Sequence, residues 1–248
     1  MVFNIGHYLL LAIALLSVPG APGVSGVERI THGRNINITQ VPWQVSLHYL
    51  GKFHCGGSIY SETIIITAAH CVENKRIGDI EIRAGSSNHK SGGVLVEVEN
   101  FRYHERFTRK DFRSDVAVIK LRNPLTFSNT IQPIALAEQD PAEWSLGLAT
   151  GWGLTPFYNP DYLQGVKLAI RSWEWCKIKY PYLLLDDDIC AGSALGGPCN
   201  GDSGGPLVVD GKLVGITSRG RQFLCFSSGL FASVAKYRSW ILNTIKSV

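Results

Sequence analysis

The chain has 248 residues, 45% of them hydrophobic and 18% charged, which excludes a disordered polypeptide and leaves room for one or two domains with a sizeable core. Its 24 basic and 20 acidic residues give a net charge of +4. They form no Lys/Arg cluster, which excludes a nucleic-acid-binding stripe.

In chain order, the first feature is the apolar run Tyr8–Val18, followed by Gly20, Ala21, Gly23, Ser25 and Gly26. The run is too short to cross a bilayer comfortably, and its small-residue flank reads as the end of a secretory signal peptide over residues 1–20. The segment before the run, Met1–His7, lacks the usual Lys or Arg. No later segment is apolar for long enough to span a membrane, so no membrane partner is expected. Asn37-Ile38-Thr39 is a glycosylation sequon with Asn37 as acceptor.

Short apolar or β-branched runs then recur between turn residues: Trp43–Leu47, Thr63–Thr67, Val94–Val98, Val116–Ile119 and Leu207–Val209. Each has strand length and is bounded by Gly, Pro, Asn or Ser. With 26 glycines and 11 prolines, this spacing favours an all-β sandwich or barrel. Residues 129–143, with two prolines, read as a linker between halves of similar size. At the end, Tyr237, Trp240, Ile241 and Ile245 share one face of a predicted helix. All six cysteines follow the leader: Cys55, Cys71, Cys176, Cys190, Cys199 and Cys225. An even count in a secreted chain implies disulfides, and their pairing stays open at this point. No C-x-x-C pair or His/Cys cluster suggests a metal site.

Three residues sit in suggestive settings. His70 closes the apolar strand Thr67-Ala68-Ala69-His70-Cys71, Asp115 opens the strand Ser114–Ile119, and Ser203 lies in Gly201-Asp202-Ser203-Gly204-Gly205-Pro206. A lone histidine is more often structural, a lone aspartate more often a cap or turn, and a Gly/Ser run can be an ordinary turn. A serine among glycines can also expose its oxygen to a reacting carbonyl while nearby amides bind the oxyanion. Such a nucleophile needs a base and an orienting acid. The ordered set His70, Asp115, Ser203 supplies both.

Together with Thr150-Gly151-Trp152-Gly153, these segments resemble the chymotrypsin/trypsin-type serine proteases, from about Arg29 to the C-terminus. The resemblance implies two six-stranded antiparallel Greek-key barrels with a C-terminal helix and the active site between them. It divides the chain into a signal peptide (1–20), a short activation propeptide (21–29) and a protease domain (30–248). It implies a secreted serine endopeptidase, made as a zymogen, in which Ser203 attacks, His70 moves the proton, Asp115 orients the imidazole, and the Gly201 and Ser203 amides form the oxyanion hole. The rival reading is a catalytically silent homologue acting as a binding or regulatory protein.

The same resemblance implies cleavage after Arg29, so that the Ile30 amine pairs with Asp202. Thr31 and His32 depart from the family's usual residues there. It pairs the cysteines as Cys55–Cys71, Cys176–Cys190 and Cys199–Cys225. Gly197, where trypsins carry an acid, with Gly220 and Gly229 on the walls, implies an open, uncharged primary pocket that prefers large apolar residues. Arg219 stands where the family has tryptophan, beside that pocket. Arg219 and Arg221 read either as favouring acidic residues in a substrate, or Arg219 as simply solvated. The family's calcium ligands are unmatched in Gly85–Lys90, so neither metal nor cofactor is expected. Expected partners are protein or peptide substrates, an activating trypsin-like protease and protein inhibitors, with the enzyme itself a monomer.

Overall fold

The computed structural model describes residues 34–154, 160–193, 197–220 and 228–248. The expected signal peptide and propeptide, Arg29, Ile30, Arg221 and Cys225 lie outside the described residues.

The N-terminal half holds β1 (Arg34–Asn35), β2 (Gln44–Tyr49), β3 (Lys52–Ile59), β4 (Ile64–Thr67), β5 (Ile80–Ala84), β6 (Val94–Tyr103) and β7 (Ala117–Leu121). The C-terminal half holds β8 (Ala135–Leu136), β9 (Leu146–Gly151), β10 (Gln164–Ile170), β11 (Asp188–Gly192), β12 (Pro206–Val209), β13 (Lys212–Arg219) and β14 (Ser228–Ser233). Among the described residues helices α1 (Ala69–Val72) and α2 (Trp173–Lys179) interrupt them and helix α3 (Val234–Ile245) follows the last strand.

Two rings result. β2-β3-β4-β7-β6-β5 closes on itself. In the second half β10-β11-β14-β13-β12-β9 closes through the β10–β9 pairing. Every pairing within either ring is antiparallel; β8 adds a parallel strand to β13, and β1 pairs with β10. Closure removes the exposed edges that an open sheet would present to other chains. These are the two six-stranded antiparallel barrels with a C-terminal helix that the resemblance implies.

The runs read as strands owe their pairing to burial. Ile64, Ile65 and Ile66 are all buried, with Ile65 opposite Ile119 and Ile66 opposite Val118. The second barrel packs Ala149, Val166, Leu168, Leu207, Val214 and Phe231 into one cluster. Residues 129–143 do join the two halves, but as a strap bound at both ends rather than a free linker. Ile131, Ile134, Leu136 and Ala137 are buried. The Gln132 and Ile134 amides donate to Pro42 and Ile59 of the first half, and that of Ala137 to Leu213 of the second. Helix α3 is capped by Ser233, whose hydroxyl accepts from the Lys236 amide at 3.1 Å. Tyr237 and Ile241 are buried, while Trp240 and Ile245 pack partly buried against the same core. Among the described residues no helix is long and apolar enough to cross a membrane.

Candidate active site

His70 and Asp115 meet because of strand register. β4 and β7 are antiparallel, with Thr67 opposite Ala117. The residues just after Thr67 therefore lie beside those just before Ala117. The His70 amide donates to Asp115 Oδ1 at 2.9 Å, and His70 Nδ1 lies 2.7 Å from Oδ2. A third donor, the Ser218 hydroxyl at the end of β13, reaches Oδ2 at 2.6 Å. Asp115 is 1% exposed, so these bonds replace the water it lost. An ionised carboxylate only accepts, so Nδ1 carries the ring proton and Nε2 is left as a base.

A disulfide joins Cys55 of β3 to Cys71, the residue after His70. Arg109 reaches over the same turn, donating to the His70 carbonyl at 3.1 Å and to Glu73 at 2.7 Å.

Ser203 comes from the other barrel, brought close by glycines. Gly56 of β3 donates its amide to the Ser203 carbonyl at 2.8 Å. A Cβ on Gly56 would stand 3.0 Å from Gly205 Cα, and one on Gly204 would stand 2.2 Å from Thr67 Oγ1 and 2.6 Å from the Gly56 carbonyl. No side chain fits at that junction. Gly201 and Gly204 also have φ of +99° and +76°, which L side chains rarely adopt. The turn sorts its amides: those of Asp202, Gly204 and Gly205 donate to backbone carbonyls. Those of Gly201 and Ser203 donate to no acceptor among the described residues. Ser203 Oγ likewise makes no hydrogen bond to His70 here. Enzymes without substrate often hold that contact long and tighten it when substrate arrives.

Asp202, beside the serine, is buried, and its carboxylate accepts from the Gly153 and Cys199 amides at 2.8 and 2.9 Å. Burial pushes its carboxyl up to about 6 against the pull of those two N–H groups. This explains the glycines of Thr150-Gly151-Trp152-Gly153. A Cβ on Gly151 would lie 2.2 Å from Asp202 Oδ1, and one on Gly153 2.5 Å from Asp202 Cγ.

The three glycines expected at the primary pocket behave differently from one another. Gly197 is buried. Gly220, just past β13, has only the Ser228 carbonyl near its Cβ direction among the described residues, at 3.7 Å. A Cβ on Gly229 in β14 would lie 2.4 Å from Pro198 Cγ. The proline ring occupies the space that glycine leaves, so Gly229 does not leave that wall open as expected. Tyr180 fixes the start of β14, its hydroxyl lying 2.8 Å from the Ser228 carbonyl and 2.6 Å from its hydroxyl. A second disulfide, Cys176–Cys190, ties α2 to β11 next to it. Cys199 is also disulfide-bonded, while Cys225, its expected partner, lies outside the described residues.

Arg219 departs from the expectation that it is simply solvated. Its side chain is 7% exposed and pairs with Asp188 of β11 at 2.5 Å, itself 2% exposed. It therefore does not sit in solvent, and its charge is matched by Asp188; Arg221, the other half of the substrate expectation, lies outside the described residues. The physical reason is the buried carboxylate on β11, which lies two strands over, across β14. Burial lifts Asp188 to about 7, and the guanidinium and the Leu185 amide oppose that rise. Sequence reasoning missed this pair, and also Ser218, Gly56 and the role of Gly151 and Gly153. Gly151 and Gly153 stood in a motif whose role was not read, and Ser218 stood next to Arg219.

The trypsin family's sequence profile matches residues 30–241. Trypsin delta of Drosophila erecta is 40% identical over 223 residues, covering 87% of this chain and 88% of its own length. Trypsin alpha-4 of Lucilia cuprina is 40% identical over 227 residues and covers 89% of each. Among solved structures, neuropsin, a serine protease expressed in the limbic system of mouse brain, superposes with a TM-score of 0.80 at 30% identity. That superposition covers 86% of this chain and 98% of neuropsin. A fold of two closed barrels and this span of likeness lead to one conclusion: the chain belongs to the trypsin family and is a serine endopeptidase.

Proposed function

We propose that the chain is a secreted zymogen which, once cleaved after Arg29, hydrolyses peptide bonds through His70, Asp115 and Ser203. The observation that carries the reading is the buried Asp115 carboxylate on His70 Nδ1 at 2.7 Å, which leaves Nε2 as the base. Ser203 Oγ forms a bond to the scissile carbonyl carbon as Nε2 takes its proton. The developing oxyanion is met by the Gly201 and Ser203 amides, which have no competing acceptor among the described residues. The C–N bond then breaks, His70 returns the proton to the leaving amine, and water repeats the sequence on the acyl-enzyme.

Activation follows from Asp202. A buried carboxyl held near 6 gains from a cation, and the amine that cleavage would create at Ile30 is the candidate. Gly197 offers no carboxylate to a basic side chain, so the pocket takes apolar residues, and the Pro198 ring against Gly229 narrows it on one side. Such an enzyme does not cleave its own Arg29, and a separate trypsin-like protease activates it. The disulfides suit an oxidising compartment, in keeping with a signal peptide over residues 1–20. Asn37 is exposed, and its Oδ1 makes the local capping bond to Thr39, which leaves the amide nitrogen for a glycan.

The test is activity of protein cleaved at Arg29. Ser203 is expected to be labelled by an organophosphonate, with no label on Ser203→Ala. Asp115→Asn is expected to lower kcat about 10⁴-fold, the usual loss when the acid of such a triad becomes an amide. An unlabelled, inert cleaved protein would establish the silent-homologue reading instead. A peptide library cleaved mainly after Arg or Lys would refute the proposed pocket.

A further inference from the structure

The Arg219 guanidinium does more than neutralise Asp188. Its Nη2 reaches Asp188 Oδ2 at 2.5 Å and the Leu183 carbonyl at 2.9 Å, and Nε meets the same carbonyl at 3.1 Å. Nη1 reaches the Phe112 carbonyl at 3.3 Å and the Ser218 hydroxyl at 3.2 Å. One side chain thus holds together β13, β11, the segment before β11 and the loop that leads into Asp115.

Two of those contacts bear on the His70–Asp115 pair. The Ser218 hydroxyl has a single proton. With Arg219 donating to its oxygen, that proton is aimed at Asp115 Oδ2, 2.6 Å away. Phe112 and Ser114, flanking Arg113 just before Asp115, have φ of +57° and +54°. Non-glycine residues hold that conformation only when their surroundings impose it, and the bond from Arg219 to the Phe112 carbonyl is one such constraint. The Phe112 ring in turn stands edge-on to the His70 ring, with centroids 5.3 Å apart.

We propose that Arg219, anchored by Asp188, is a positioning residue for catalysis: through the Ser218 hydroxyl and the Phe112–Ser114 turn it sets the orientation of the Asp115 carboxylate and the His70 ring. The proposal rests on the triad reading above. It assigns a task to a buried pair that, as an ion pair alone, apolar residues could replace without loss of stability.

That property supplies the experiment. In the double variant Arg219→Met/Asp188→Leu the buried charges go together, and the melting temperature is expected to stay near that of the parent. In the cleaved enzyme kcat is expected to fall about 10- to 100-fold, the scale of a small misplacement of catalytic groups, with KM changed less than about threefold. The far-downfield proton resonance of the His70 Nδ1–H bond to Asp115 is expected to broaden or move upfield. Arg219→Lys is the second arm, for use if the double variant does not fold. Its ammonium keeps the charge opposite Asp188 but cannot reach Phe112 and Ser218 at once, and the same loss in kcat is expected at normal stability. Either folded variant with parental kcat and an unmoved downfield resonance overturns the proposal. Asp115→Asn run in parallel separates the two levels. If that variant is inactive while the Arg219 variants are fully active, only the positioning role fails; if it is fully active, the triad reading fails.

Discussion

Placing a methyl group on Gly204 tests how closely the two barrels meet at the nucleophile. The new Cβ would lie 2.2 Å from Thr67 Oγ1 and 2.6 Å from the Gly56 carbonyl, at a φ of +76°. Strain and clash add, so Gly204→Ala is expected to cost about 3 kcal/mol or more in urea denaturation and to lower activity with it. An alanine variant of parental stability would mean that the junction is looser than these distances. At this scale much of the site was legible. His70, Asp115 and Ser203 stand out because their chemistry needs particular neighbours, and those neighbours are adjacent in the chain. Arg219 was not legible. Its partners Asp188 and Phe112 are 31 and 107 residues away, and nothing next to it signals that it turns inward.

Elements bring these residues to their places through register and cross-links. Since β4 and β7 deliver His70 and Asp115 from opposite directions, whatever loosens the end of β4 loosens the pair. The Cys55–Cys71 disulfide closes a loop of sequence separation 16 at that end. Replacing both cysteines by alanine is expected to cost about 3 kcal/mol, by the chain-entropy estimate for a loop of that size. In the folded fraction kcat should fall more than KM rises, because the cut lies beside His70. An unchanged kcat in the double variant would show that α1 is held by packing and by Arg109 alone. The strands and the terminal helix were readable from alternation and helical periodicity. Residues 129–143 were readable as the connector but not as a buried one, since prolines mark a connector equally whether it runs in solvent or lies buried against two barrels.

For the molecule as a whole, Asp202 couples charge to folding. Its carboxyl is near 6 in the folded chain against 3.8 ordinarily. A raised acid favours the folded state fully below the unfolded value and loses that contribution as pH rises through the folded one. In the uncleaved chain the loss falls between about pH 4 and 6, on the order of 3 kcal/mol. Several histidines oppose it. His48, lowered by burial to about 4, contributes stability above its unfolded value and loses it as pH falls. A comparison that cancels them is the difference in melting temperature between uncleaved Arg29→Gln and cleaved protein. If the Ile30 amine pairs with Asp202, the cleaved form is expected to gain on the precursor as pH rises from 4 to 6. Parallel curves across that range would refute the pairing.

The sequence by itself determined the all-β class, the strand runs, the helix face and the identities of the three candidate catalytic residues. These depend on local backbone preferences and on chemistry confined to a few adjacent positions. Tertiary structure alone decided that Arg219 pairs with Asp188, that Pro198 fills the space beside Gly229, and that Gly151 and Gly153 make room for the Asp202 carboxylate. Each of those outcomes depends on which distant segments share a low-dielectric interior once the barrels close. A buried charge takes the partner that closure brings to it, and that partner is not written next to it in the chain.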